Sequence, residues 1–498
     1  MPLIIPGNSQ ASTGHSIDQS IRFNEAGSPY MQKTYSGDGS RTTWSFSFWM
    51  KLGKSPPYNT SRANPLIVYN TTSGAQEDIR IEGTNQQLQW YTHNDGGTGT
   101  LADLKTTQYL RDHSAWYHIL CVADRTNAVS SERQRIYING QRVTDFATET
   151  YPSQNAEGHV GKSADVHYIG SRAGNVNTRL DGYMAEIVYI DGTALDPSSF
   201  GEYNSSNIWI PKDVSGLTFG TNGFHIDGRD ASDIGDDESG QGNDFTSSGI
   251  QTYDVVLDSP TNNFAVINIL KPTTGTGTTV ENGNLFQQSD SYSSTNYGYR
   301  PSTLQPLNSG KWYFEFEPNN EAGGGNVFFV GITGEDIFNT SATSSSVGSI
   351  LNPSYGMYCY PNPSGGYLYF FYEGSSRQET NAPIPVHGNI IGVAVDFDNA
   401  KIYFFVNGTE IYGQNISAGT AATNLSGWST SSNWIINFYT AVSSNNAARG
   451  NITFNFGQDS SFYGVETPGG NSDGNGIGNF KYSVPSGFLA LSSKNLGS

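Results

Sequence analysis

The sequence predicts an all-β protein, two antiparallel β-sandwiches joined by an acidic, Gly/Thr-rich segment. Three observations predict it. Segments such as Thr43-Trp44-Ser45-Phe46-Ser47-Phe48-Trp49-Met50 alternate polar and apolar residues, the period-two pattern of a strand with one buried face. Asn-Gly pairs separate several such segments, and both central positions of a type I′ hairpin turn need positive φ, which Asn and Gly tolerate best. The composition is poor in helix formers and rich in Gly, Ser, Thr and Asn, with 58 glycines in 498 residues. Aromatic residues reach 13% and charged residues only 14%, which excludes a disordered chain.

After an N-terminal segment (1–19), the first sandwich is expected over residues 20–210. Its strand candidates after Thr43–Met50 are Pro65–Asn70, Asp78–Glu82, Leu88–Thr92, Ala115–Ala123, Arg135–Asn139, Asp165–Gly170 and Gly182–Ile190. Asn139-Gly140 predicts a hairpin, and Asp191-Gly192 reads as a second turn of the same kind. Asp196-Pro197-Ser198-Ser199-Phe200 predicts a short helix, with Pro just inside its start. Residues 211–309 read as a connecting segment, acidic over 227–244 and Gly/Thr-rich over 272–279. The second sandwich is expected over 310–460. Its candidates are Lys311–Glu317, Asn326–Thr333, Ser354–Tyr360, Tyr367–Glu373, Asn389–Asp396, Lys401–Val406, Trp434–Thr440 and Asn451–Phe456, with Asn407-Gly408 as a further hairpin turn. A Gly/Asn-rich tail (461–498) follows.

The net charge is −19, so a nucleic-acid partner gains no general electrostatic help and is not expected. No apolar run approaches the ~18–20 residues of a membrane span, so no membrane insertion is expected. The start, Met1-Pro2-Leu3-Ile4-Ile5-Pro6, lacks the basic region of a signal peptide. Cys121 and Cys359 each lie in an apolar strand-like run and read as buried free thiols.

Two family resemblances arise from these segments. Phe46-Ser47-Phe48-Trp49-Met50-Lys51, Trp116-Tyr117-His118-Ile119, Ile136-Tyr137-Ile138-Asn139-Gly140, Tyr168-Ile169-Gly170 and Asp181-Gly182-Tyr183-Met184-Ala185-Glu186-Ile187-Val188-Tyr189 resemble the laminin-G/concanavalin A-like lectin superfamily in order and spacing. In the second half, Gly310-Lys311-Trp312-Tyr313-Phe314-Glu315, Phe329-Val330-Gly331-Ile332, Gly392-Val393-Ala394-Val395-Asp396-Phe397, Ile402–Gly408 and Phe454-Asn455-Phe456-Gly457-Gln458 resemble a SPRY domain. Both resemblances imply concanavalin A-like sandwiches of jelly-roll type. The pairing of the two modules, the Asp233–Phe245 motif and the ending Pro485-Ser486-Gly487-Phe488-Leu489-Ala490-Leu491 resemble virion proteins of marine tailed bacteriophages. That resemblance implies a component on the surface of the phage particle, such as a tail fibre or receptor-binding adhesin recognising a host surface glycan. Its expected partners are other virion proteins, a host glycan or receptor, and further copies of itself, a trimer in the case of a fibre. A capsid decoration or connector protein is the alternative, and a polysaccharide depolymerase a third reading.

Enzyme signatures are scarce. Glycosidases need two carboxylates facing the scissile bond, and no Glu-x-Asp-x-(x)-Glu run places them on one strand face. Glu315 and Glu317 share a face but read as solvent-facing strand residues, and Glu186 with Asp191 is a weak pair. No metal-protease histidine spacing, nucleophile elbow or P-loop appears. No catalytic residue and no required cofactor is therefore expected. Binding residues are more legible. Trp90, Tyr91, His93, Asn94 and Asp95 put aromatic faces and planar polar groups at one strand end, the chemistry that holds sugars, although alternation turns one of Trp90 and Tyr91 into the core. Asp227, Asp230, Asp236, Asp237, Asn243 and Asp244 supply oxygens suited to calcium. The same residues equally suit turns that cap themselves through Asp and Asn side chains.

Overall fold

The computed structural model describes residues 14–53, 62–83, 85–94, 99–270, 278–289, 300–305, 309–320, 326–334, 354–360, 367–372, 375–379, 388–411, 413–420, 423–424, 434–442 and 450–496. The described chain is nearly all β and falls into two compact units, Met1–Asn263 and Phe264–Ser498. The stretch 211–309 is therefore not one connector. Phe224–Ile226, Thr246–Ser248 and Val255–Val256 complete the sheets of the first unit, and Thr278–Glu281, Phe286–Ser289 and Arg300–Pro301 those of the second. Strands this short carry too few alternations for a period-two pattern to show.

In the first unit one sheet runs Gln141–Arg142, Gln134–Ile138, Tyr117–Asp124, Thr43–Leu52, Gly182–Asp191, Ser20–Phe23, Val255–Val256. Phe224–Ile226 pairs with the same edge of Gly182–Asp191 as Ser20–Phe23, further along it. The other sheet runs Phe146–Thr150, Thr100–Tyr109, Gln87–His93, Gln76–Glu82, Arg62–Tyr69, Val166–Gly170, Tyr30–Lys33, Thr246–Ser248. All pairings are antiparallel, and Trp44, Phe46, Phe48 and Met50 meet Leu66, Ile79, Trp90 and Leu104 in the core between the sheets. The alternation in Thr43–Leu52 predicts one wet face, but both faces are buried. Ser47 and Trp49 lie under a third layer that includes Phe200 and Trp209, and Lys51 under the Asp258–Asn263 turn.

Asn139 and Gly140 adopt φ of 50° and 76°, the expected hairpin turn. Asn407 and Gly408, at 49° and 75°, repeat it in the second unit. Asp191-Gly192 does not. Asp191 N–H bonds Phe219 O and Gly192 N–H bonds Thr43 O, so the chain leaves the sheet there instead of folding back. Pro197–Ser199 is one turn of 3₁₀-helix.

The second unit pairs a sheet ordered Thr278–Glu281, Phe286–Ser289, Gly450–Asn455, Lys311–Asn320, Ile391–Asp396, Lys401–Val406, Thr409–Glu410 with one ordered Arg300–Pro301, Trp434–Val442, Asn326–Gly334, Ser354–Tyr360, Tyr367–Tyr372, Ser375–Glu379. Its core holds Phe314, Phe316, Val330, Met357, Val393, Phe404 and Phe454. The 461–498 tail is part of this unit. Leu489–Ala490 adds a parallel strand to Lys311–Asn320, and Phe462, Phe480, Phe488 and Leu491 are buried. Glu315 and Glu317 are buried rather than solvent-facing, because the returning tail covers that side of the sheet near Glu315. Cys121 is a buried free thiol whose pKa burial pushes up; the Cys359 side chain lies outside the described residues.

Candidate functional site

Strand alternation sorts the first candidate group. On Gln87–His93, Leu88 and Trp90 face the core, and the Trp90 indole donates to Glu77 Oε1 at 3.0 Å. Trp90 is fully buried and leaves the binding set. Tyr91 faces outward, half-buried. In register beside it stand Asp78 on one neighbouring strand and Asp103 on the other, and the next outward row is Arg80, Gln89 and Lys105. The Arg80 guanidinium lies 5.0 Å over the Tyr91 ring. It donates to Asp78 Oδ2 at 3.0 Å and, through Nε and Nη2, to Gln89 Oε1 at 3.1 and 2.9 Å. Gln89 Nε2 donates onward to Asp103 Oδ1 at 2.6 Å. His93 packs edge-on to Tyr91 at 5.0 Å, and the Tyr91 hydroxyl meets Thr100 Oγ1 at 3.0 Å. Asn94 closes the adjoining loop, bonding Gly99 from its backbone and its side chain, and is exposed. Asp95 lies outside the described residues.

The result is a hydrogen-bonded lattice of planar polar groups around one aromatic ring on the outer face of a sheet. Asp78 is fully buried, and burial raises its pKa from the usual value although Arg62 and Arg80 oppose this. Its Oδ1 has no hydrogen-bond partner. Arg80, Gln89 and Asp103 were not in the sequence-derived set; two-residue spacing from Tyr91 picks out Gln89, but cross-strand register is needed for the others.

In the acidic loop the expected calcium ligands are engaged mainly in turn hydrogen bonds. Asp230 Oδ1 accepts from Ser232 N–H and Oγ at 2.8 and 2.5 Å. Asp237 accepts from the backbone N–H groups of His225, Ser239 and Asn243 at 2.8–2.9 Å. Asn243 donates to Thr221 O and Gly223 O, and Asp244 accepts from Asp237 N–H. Asp227 Oδ1 likewise accepts from Arg229 N–H at 2.7 Å, so five of the six expected ligands take part in turn hydrogen bonds. Asp236 stands apart, its pKa raised by partial burial and then by the Asp244, Asp233 and Asp230 charges. Asp227 also belongs to a different group. It lies beside Glu186 and His225, with one donor atom of each within 4.8 Å of the others.

A Ser–His contact also occurs, Ser47 Oγ to His118 Nε2 at 2.8 Å. Both residues are buried, His118 Nδ1 has no partner, and burial holds the imidazole pKa at about 3. A buried hydroxyl with an unoriented base is no nucleophile.

Residues 25–199 match the family model of the concanavalin A-like lectin/glucanases superfamily, so the first unit carries a laminin-G/concanavalin A-like lectin domain. No curated protein sequence matches the chain. Among solved structures, laminin α1 domains LG4-5 from mouse are similar over 91% of this chain and 93% of that one, at 10% identity and a TM-score of 0.30. A SAP-like pentraxin from Limulus polyphemus covers 36% of this chain with 78% of its own, at 12% identity and 0.27. Domain 4 of an extracellular arabinanase from Geobacillus stearothermophilus, in complex with arabinotriose, covers 32% with 67% of its own, at 14% and 0.23. Scores this low carry no argument about activity.

Proposed function

We propose that the protein is a non-enzymatic adhesin that binds a surface glycan through the outer sheet face around Tyr91, and that it does so as a component of a bacteriophage particle, displayed at the tail. The observation that carries the binding reading is the Tyr91–Arg80–Gln89–Asp103 lattice on a lectin-type sandwich. An aromatic face takes sugar C–H groups, and fixed amide, guanidinium and carboxylate groups take hydroxyls. The virion reading rests on the resemblance of the paired modules and of the Asp233–Phe245 motif, with the second unit as the SPRY-like partner module. Absence of turnover is supported by the burial of Glu315, Glu317, Ser47 and His118, which removes the described pairs nearest to catalytic ones from solvent.

A shallow polar site binds weakly alone, and copies arrayed on one particle convert weak binding into avidity gains of ~10²–10⁴. Purified full-length protein is expected to bind host cells or immobilised host glycans weakly, and protein displayed in many copies on beads far more tightly. Tyr91→Ala should abolish the bead-borne binding while leaving the circular-dichroism spectrum unchanged. Release of oligosaccharides from host polysaccharide would overturn the non-enzymatic reading. Unchanged binding by Tyr91→Ala would remove this face as the site. Antibody labelling confined to the capsid, without host binding, would favour a decoration or connector protein.

A further inference from the structure

Glu186 occupies an unusual place. It is the extra residue of a β-bulge in Gly182–Asp191, between Ala185 and Val188, and its φ is +48°. The bulge falls where the edge partner of that strand changes from Ser20–Phe23 to Phe224–Ile226. His225 pairs with Val188 and Ile226 with Ile187, so the register runs on to bring Asp227 beside Glu186. His225 and Asp227, two residues apart, share the face of the edge strand that points away from the core, while Ile226 enters it. Bulges of this kind re-aim a side chain, and here the re-aimed Glu186 Oε2 sits 3.0 Å from His225 Nε2.

The three side chains are held from all sides. Asp237 accepts the His225 backbone N–H at 2.9 Å, and Phe219 stacks parallel to the imidazole at 6.2 Å. All three residues are at least 91% buried, with exposures of 8%, 6% and 9%. Arg229, whose side chain is 68% exposed, reaches back to Asp227 Oδ2 at 2.8 Å.

We propose that Glu186, His225 and Asp227 form a binding site for a divalent transition-metal ion of the zinc type, with Arg229 the cation that the metal displaces. The donor set is one imidazole nitrogen and two carboxylates. Imidazole suits zinc, copper and nickel, whereas calcium takes six to eight oxygens. Bonds of ~2.0–2.2 Å in a tetrahedral site set donors about 3.4 Å apart. The His225–Glu186 separation is already near that, and the widest pair must close from at most 4.8 Å. Two carboxylates balance the metal charge once Arg229 has swung out to solvent. The bound ion would pin the Phe224–Ile226 strand to the bulge and thereby hold the acidic loop. This site is independent of the glycan face.

Calorimetric titration of the metal-stripped full-length protein with zinc chloride tests it, with calcium chloride as the comparison. Wild type should bind one zinc ion and melt at a higher temperature with it, and calcium should not compete. His225→Ala should weaken zinc binding at least tenfold. Arg229→Ala removes an exposed side chain that pairs with Asp227 Oδ2 and, at 3.3 Å, with Glu238 Oε2, and should tighten zinc binding severalfold. That second variant decides the matter if His225→Ala does not fold. No zinc binding by the wild type, zinc binding unchanged in folded His225→Ala, or no tightening in Arg229→Ala would overturn the proposal and leave a self-contained ion-pair cluster.

Discussion

Lys51 is the clearest case of a single side chain whose partners decide its cost. Its ammonium is fully buried and donates to Asp258 Oδ2 at 2.8 Å and Asn263 Oδ1 at 2.7 Å, while Trp116 Nε1 donates to Asp258 Oδ1 at 3.1 Å. Breaking a buried pair by removing one partner costs about 3–5 kcal/mol, because the remaining charge is left uncompensated, whereas removing both charges costs far less. Lys51→Met is expected to lose that much in urea denaturation. Lys51→Met with Asp258→Asn should recover most of it, since the amide oxygen still accepts from Trp116. A double variant no more stable than the single one would contradict this account. Nothing in the sequence announced Lys51, because its partners lie more than 200 positions away. Tyr91 was legible from alternation, which required either it or Trp90 to face outward. Glu186 was not, because a bulge shifts the register that alternation assumes.

Elements with strong local chemistry were readable, and those defined by distant pairing were not. Most long strands of both units lie within a few residues of where alternation places them, Thr100–Tyr109 being a ten-residue strand that was not among the candidates, and both Asn-Gly hairpins form. Gly140 shows why its turn is specified. Its φ is 76°, and a Cβ there would come within 2.5 Å of the Trp209 ring. Gly140→Ala should therefore destabilise the first unit by about 1–3 kcal/mol, from left-handed strain and displacement of Trp209. A melting temperature equal to wild type would show that the third layer yields freely. Asp191-Gly192 has the same dipeptide chemistry without the hairpin, because Phe219 rather than a returning strand takes the Asp191 N–H. Short strands such as Val255–Val256 and Leu489–Ala490 exist only through their partners, so the connector and the tail were read as separate from sheets they complete.

At the scale of the whole molecule, pH acts on the second unit through Glu315. Burial pushes its pKa up to about 7, although the N–H groups of Lys481 and Tyr482, the Tyr313 hydroxyl and the Asn455 amide all favour the ionised form. The folded protein thus holds a proton that an unfolded glutamate releases near pH ~4.3. The stability this contributes is complete below about pH 4.3 and is lost as pH rises to about 7, a change of roughly 3 kcal/mol. The difference in unfolding free energy between wild type and Glu315→Gln should shift by about that amount between pH 4 and pH 8. A difference that does not vary with pH would show that the tail contacts set the proton affinity instead.

The long-range closure of both units bears on how the chain is made. Ser20–Phe23 pairs with residues 182–184 and then with Val255–Val256. At ~5–20 residues per second a ribosome needs about 10–30 s to supply even the first of these partners. Throughout that interval Ser20–Phe23 lacks both of its native neighbours, the condition in which exposed strand edges recruit foreign strands. In the second unit the interval is longer in consequence if not in seconds. Lys311–Asn320 is not fully covered until Leu489–Ala490 has emerged, so a nascent chain stalled before that point should be held by chaperones and cut by proteases that spare the finished fold.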